Sequence, residues 1–327
     1  MPGTFAHMTL VADLCERTRL NGIGELSEDV KHALLSNEKF CELGAVSPDY
    51  PYLKLFNKEA EGWANVMHYW RTGDFIRTGV RHLSEMFADF RAADAQRCIA
   101  WLFGYASHVV ADLTVHPVVE KRVGKYETNQ TEHRRCELNQ DAYIFMRKFE
   151  EEIASLQYLE RGGLEACGAK LGDTHRLAPA VCKLWTLILS EVPLASVSLK
   201  EDLPTPHHPP RPDEWHHSYM ETIERISEDG KWLFLARGVA EDEALVYPAF
   251  KDVDMSYIKN LETPAQTRTD YDEVFRRAQE NILGVWGQLG SALTARNPEL
   301  LALVNGDLDT GMADGAAPGT RQIFWAA

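Results

Sequence analysis

Residues 104–120 read GYASHVVADLTVHPVVE, and their reading decides the fold class. His108, Asp112 and His116 recur every four residues in an otherwise apolar run, and on an α-helix such positions lie along one slowly turning face. An aspartate and two histidines on a buried apolar helix cost several kcal/mol without partners, so the pattern implies something that binds them. A rise of about 1.5 Å per residue separates His108 from His116 by roughly 12 Å, the limit for two imidazoles on one ion. Two ions, with Asp112 near both, fit that spacing better. The stretch TEHRRCELNQD, residues 131–141, repeats the ladder with His133, Glu137 and Asp141. Facing stripes on neighbouring helices are expected to close a metal site between them. Asp141, carried furthest round its helix, is expected to support the ligands or contact substrate rather than ligate.

Working outward, apolar residues recur mainly at three- and four-residue spacing, while strand-like alternation is scarce. The chain therefore reads as all-α, a multi-helix bundle. Helices are expected near residues 4–20, 27–36, 60–70, 76–90, 93–116, 131–156, 174–194, 213–236 and 268–296. Two segments break the pattern. GAVSPDYPYLKLF, residues 44–56, is a Pro- and Gly-bearing loop, and its Tyr50 and Tyr52 beside Asp49 are expected to line a pocket. KEDLPTPHHPPRPDEWHH, residues 200–217, holds five prolines that bar a helix until about Asp213 and reads as a lid or connector. Its part 204–217 is rich in histidine, but proline spacing scatters the side chains, so a loop near the bundle mouth is expected rather than a second metal site. His175 is placed at a helix start capped by Asp173 or Thr174. One helical domain over 1–305 is expected, with a metal-binding half at 1–155 and a substrate-shaping half at 156–305. The tail 306–327 should be poorly ordered unless Phe324 and Trp325 dock.

The 327 residues, 45% hydrophobic and 25% charged, are ordinary globular composition. With 34 Lys and Arg against 49 Asp and Glu, the net charge of −15 offers no basic footprint for duplex nucleic acid. No uninterrupted apolar run of about 18 residues and no signal-type start occur, so a cytoplasmic chain with no transmembrane anchor is expected. Six cysteines lie scattered without a CxxC pair, arguing against a zinc ribbon or a disulfide framework. Oligomeric state is not legible.

The runs GAVSPDYPYL, WANVMHYW, GYASHVVADLTVHP and EHRRCE together resemble the zinc-dependent phospholipase C family, which is related to the S1/P1 nucleases and to the catalytic domain of glycosylphosphatidylinositol phospholipase D. The resemblance covers roughly residues 3–145 and implies a bundle of the phospholipase C/P1 nuclease type. It implies that Asp49 binds one zinc and acts as general base, and that His68 and His108 bind the same ion. By the same resemblance Asp112 would bridge toward another zinc. His116, His133 and Glu137 would hold a further zinc, and His7 would work beside the amino terminus. Secreted members expose a processed, metal-chelating terminus, whereas this chain opens Met1-Pro2-Gly3.

Five histidines and three carboxylates without thiolate favour zinc, two or three ions, with iron or manganese left open. Three carboxylates undercompensate such ions, and the residual positive charge would attract phosphate oxygens. The expected function is zinc-dependent hydrolysis of a small phosphodiester or phospholipid-like substrate, with an activated water attacking phosphorus and Asp49 taking its proton. The alternatives are a nuclease or nucleotide phosphohydrolase on the same cluster, or a repurposed or non-catalytic metal protein.

Overall fold

The computed structural model describes residues 3–54, 57–153, 163–170, 172–200, 203–229, 247–317, 320 and 322–325. Helices dominate it: α1 Thr4–Leu14, α2 Arg17–Asn21, α3 Glu28–Ser36, α4 Glu38–Val46, α5 Lys58–Tyr69, α6 Thr72–Met86, α7 Ala93–Val123, α8 Gln130–Phe149, α9 Pro179–Ser190, α10 Pro212–Asp229 and α11 Tyr271–Ala295. Among the described residues, sheet is confined to two antiparallel pairs, β1 Gly168–Lys170 with β2 Asp173–Leu177 and β3 Leu261–Glu262 with β4 Arg268–Thr269. The fold is all-α, as expected.

The axis of the bundle is α7. Its length and composition would suffice to cross a membrane, yet its most apolar window is wholly buried inside the protein. It packs against α4, α11, α3, α6 and α9. The crossing with α4 is unusually close because each helix offers a glycine: a Cβ on Gly44 would lie 2.0 Å from the Trp101 carbonyl oxygen, and one on Gly104 would lie 1.9 Å from that of Cys41. Backbone thus meets backbone one turn before His108.

Several boundaries differ from the sequence reading, each for a local reason. The 4–20 stretch breaks after Leu14, and residues 38–46, expected to be partly loop, form α4. The helix expected to stop at His116 runs through Pro117 to Val123. Pro117 has no N–H for the Leu113 carbonyl, and Gly311 packs over that turn: its φ of +68° suits glycine, and a Cβ there would meet Pro117 Cγ at 2.6 Å and Leu113 O at 2.9 Å. His175 lies in β2, not at a helix start. The helix begins at Pro179, whose preset φ favours the first turn. Likewise Arg268–Thr269 pairs as β4, and α11 starts at Tyr271. Met1, Pro2, residues 154–156 of the expected fourth-from-last helix and residues 230–236 of the next-but-one lie outside the described residues.

The proline-rich segment is a strap across α5. Asn65 Nδ2 donates to the Pro204 carbonyl at 3.1 Å, Trp63 Nε1 to that of His208 at 3.0 Å, and the Glu59 carboxylate accepts the His207 and His208 backbone N–H groups at 2.8 and 2.7 Å. The C-terminal segment also returns to the body. Trp325 is buried and its indole N–H donates to Thr114 O at 2.9 Å, while Leu308 N–H donates to His68 O at 3.0 Å.

Candidate metal centre

Four elements bring their side chains to one point. From α7, Asp112 sits midway between His108 and His116, fully buried. From α1 comes His7, from the end of α5 comes His68, and from the 3-10 turn Ser47–Leu53 comes Asp49. Every imidazole turns its Nε2 to the Asp112 carboxylate: His7 at 3.2 Å, His108 at 3.2 Å, His116 at 3.7 Å and His68 at 3.9 Å. Asp49 Oδ1 lies 3.3 Å from His68 Nε2. The i, i+4, i+8 ladder on α7 therefore has its carboxylate at the centre and a histidine on either side.

The backbone fixes which nitrogen faces inward. His108 Nδ1 donates to the Ala45 carbonyl at 2.8 Å, a contact available because α4 and α7 cross at Gly44 and Gly104. His68 Nδ1 donates to Ala64 O, one turn earlier, at 2.7 Å. Each such bond holds Nδ1 protonated and leaves the Nε2 lone pair for a cation. His7 stacks on His108 with ring centroids 4.2 Å apart.

His7 is secured from α8. The Asp141 carboxylate accepts the backbone N–H groups of Phe5 at 3.1 Å and Ala6 at 2.8 Å, capping α1 from another helix. It also takes the Tyr247 hydroxyl at 3.3 Å. Its oxygens are committed to that cap, so Asp141 positions the helix carrying His7 and does not line a substrate pocket.

Burial and charge oppose one another throughout the cluster. Burial pushes the Asp112 carboxyl up, but the His108 and His116 imidazoles more than reverse this and hold it well below the ordinary carboxylate range. Asp49 shows the same contest, with burial outweighed by His108 and His68, and its carboxyl is lowered. For His108, burial acts downward and the Asp112 and Asp49 carboxylates overcome it, raising the imidazole. Burial and the neighbouring His108 push His7 down to about 4, so it stays a neutral ligand at ordinary pH.

Among the described residues, two groups of three donors gather within 4.8 Å: His7, His108 and Asp112, and Asp49, His68 and His108. Both Asp112 oxygens, Asp49 Oδ1 and the Nε2 atoms of His7 and His116 are buried without a hydrogen-bond partner among the described residues. Nitrogen and carboxylate donors aimed at one another, unsatisfied and free of thiolate, are the donor set that zinc takes. The residues fit the ion.

Neither group includes the remaining expected ligands, His116, His133 and Glu137. His133 Nε2 donates to the Gly124 carbonyl at 2.5 Å, and its ring packs edge-on against Tyr126. Glu137 is partly buried. The two tyrosines also part company. In a 3-10 turn residues three apart eclipse, so Tyr52 shares the Asp49 face and its ring lies 5.5 Å from that of His68, with its hydroxyl on Asn65. Tyr50 points about a third of a turn away. The expectation that it lines the pocket is corrected: it is 1% exposed and stacks on Tyr219 at 4.7 Å, in core. Of the segment 204–217, His216 is buried with Nε2 donating to Thr174 O at 2.9 Å.

Sequence reasoning missed Asp309. It arrives on the C-terminal segment, 7% exposed, with Oδ1 3.5 Å from His116 Nδ1 and Oδ2 accepting the Tyr69 hydroxyl at 2.6 Å. No spacing relation tied it to the ladder.

A family model for zinc dependent phospholipase C matches residues 6–173, just over half of the chain and the part that supplies every one of the gathered ligands. The chain belongs to that family. Membership points to a zinc-dependent, phospholipase C-like hydrolase, and the His and Asp groups supply donors for the metal. No curated protein and no solved structure matches the chain.

Proposed function

We propose that the chain hydrolyses a small phosphodiester in the manner of a phospholipase C, adding water across the phosphorus–glycerol oxygen bond to release a phosphomonoester headgroup and diacylglycerol. One observation carries the reading: within the gathered set Asp49 is the most exposed side chain, at 13%, against 0% for His7, His68, His108 and Asp112. Substrate therefore meets the cluster at its Asp49 edge. Zinc held by these residues would polarise phosphoryl oxygens and bring the pKa of a water toward about 7.

The protein's own groups do the rest. His7, His68, His108 and Asp112, closed off from solvent, hold the positive charge in place and keep bulk water away. The Asp49 carboxylate, lowered and hence ionised at neutral pH, orients the attacking water and accepts its proton. As the phosphorus–oxygen bond breaks, the glycerol oxygen takes a proton from solvent and leaves as the alcohol, and Asp49 gives up the proton it accepted, so that one water is consumed overall. Tyr52, on the Asp49 face, offers an aromatic wall to the substrate. The net charge of −15 disfavours a long polyanion and is compatible with a lipid headgroup.

The test is product analysis with zinc-loaded protein and phosphatidylcholine vesicles, beside short single-stranded DNA. Diacylglycerol and phosphocholine should appear, and Asp49→Asn should lower kcat by about 10²–10⁴-fold. Nucleotide release with no diacylglycerol would move the assignment to the nuclease reading, and a wild-type rate in Asp49→Asn would remove the mechanism.

A further inference from the structure

Asp309 lies far beyond the family-matched region, and the chain goes to some length to place it. Asp307 Oδ1 accepts the backbone N–H groups of Asp309 at 2.9 Å and Thr310 at 3.1 Å, shaping the turn. Leu308, fully buried, donates its N–H to the carbonyl of His68, itself a gathered ligand. Gly311 then packs over Pro117, one residue past His116. The turn is thus fixed to two ligand-bearing helices at once. On it, the Asp309 Oδ2 takes the Tyr69 hydroxyl, with Lys200 Nζ 3.7 Å away, while Oδ1 lies 3.5 Å from His116 Nδ1. His116 accordingly lies between two buried carboxylates, Asp309 on Nδ1 at 3.5 Å and Asp112 on Nε2 at 3.7 Å.

His108 and His68 have their Nδ1 atoms fixed by backbone carbonyls; no carbonyl bond to His116 occurs among the described residues, and a carboxylate stands in that position. We propose that Asp309 is a positioning residue of the metal centre: it accepts a hydrogen bond from His116 Nδ1–H, selects that tautomer and so commits the Nε2 lone pair to the ion beside Asp112. The segment 307–311 is then part of the zinc site, although it lies outside the region that defines the family. This rests on the zinc reading of the cluster and is independent of which phosphodiester is cleaved.

Asp309→Asn is the informative variant. It preserves size and an acceptor for Tyr69, but it can present an amide N–H to His116 Nδ1, which favours the opposite tautomer. Zinc affinity, measured by chelator competition, should fall about 10–100-fold for one ion while the unfolding midpoint of the zinc-free protein stays put. In a His116→Ala background the same substitution should cost nothing further. Ring nitrogen shifts of zinc-free wild-type protein should show His116 protonated on Nδ1, a measurement that needs no variant to fold. Wild-type affinity in Asp309→Asn, an equal loss in the His116→Ala background, or a wild-type His116 protonated on Nε2 alone each overturn the proposal and leave the zinc reading standing. A wild-type chain that takes up no zinc overturns both.

Discussion

Helices α7 and α8 carry histidines and carboxylates at the same four-residue spacing, but they use them differently. On α7, His108, Asp112 and His116 stay together because α1, α5 and the Asp49 turn face them with further metal-donor groups and the Ala45 carbonyl of α4 holds the His108 ring. On α8, two of the three rungs go to different neighbours, His133 to the Gly124 carbonyl and Asp141 to the first turn of α1, with Glu137 between them. Helical spacing selects a face, and what stands opposite that face decides whether it becomes one site or several separate contacts.

The sharpest way to break this comparison is to count zinc in two single variants by plasma mass spectrometry. His108 belongs to both gathered groups, so His108→Ala should empty both, whereas His133→Ala should leave both in place. Equal losses would show that the second ladder swings in when metal binds. A second, smaller effect contrasts two buried carboxylates. Asp112 is kept ionised by imidazoles, but Glu42 on α4, buried and bonded to Lys39 at 2.9 Å, is pushed up to about 7 by burial. The folded state binds that proton more tightly than the unfolded one, so the Glu42 contribution to stability is fully present below about pH 4.5 and is lost as pH rises through about 7. In urea titrations Glu42→Gln should remove a decline on the order of 3 kcal/mol and leave that of Asp141, whose carboxyl burial likewise pushes up to about 7. Smallest is the loss of the α1 cap: Asp141→Ala should cost about 1 kcal/mol of stability and loosen the zinc held by His7 while sparing that held by His68.

Much of this was legible in the chain. The α7 ladder stood out because charged groups in an apolar helix demand partners, and His7, Asp49 and His68 were marked by the family pattern. The rest was hidden for physical reasons. Tyr50 is adjacent to Asp49 in sequence, but adjacency in a 3-10 turn sends neighbours to different sides, and Tyr52 three residues from Asp49 kept the shared face. Asp141 was recognisable as supporting, but nothing in its spacing revealed that the first turn of another helix was its target. The extension of α7 past Pro117 depends on Gly311, and Asp309 depends on the same returning segment. Contacts of that range leave no periodicity to read.

Those long-range contacts bear on how fast the centre can form. The α7 ladder is assembled within a single helix, whose turns close on the submicrosecond scale. By contrast, the cap that secures His7 joins residues 136 apart, and the Tyr69–Asp309 bond joins residues 240 apart. Closing loops of that size is slow and comes late, so the donors of α7 exist as a helical face before the groups that orient their neighbours have arrived. Ion present during refolding would then meet an unfinished site first, and the order of addition, metal before or after collapse, becomes a variable in the kinetics of obtaining active protein.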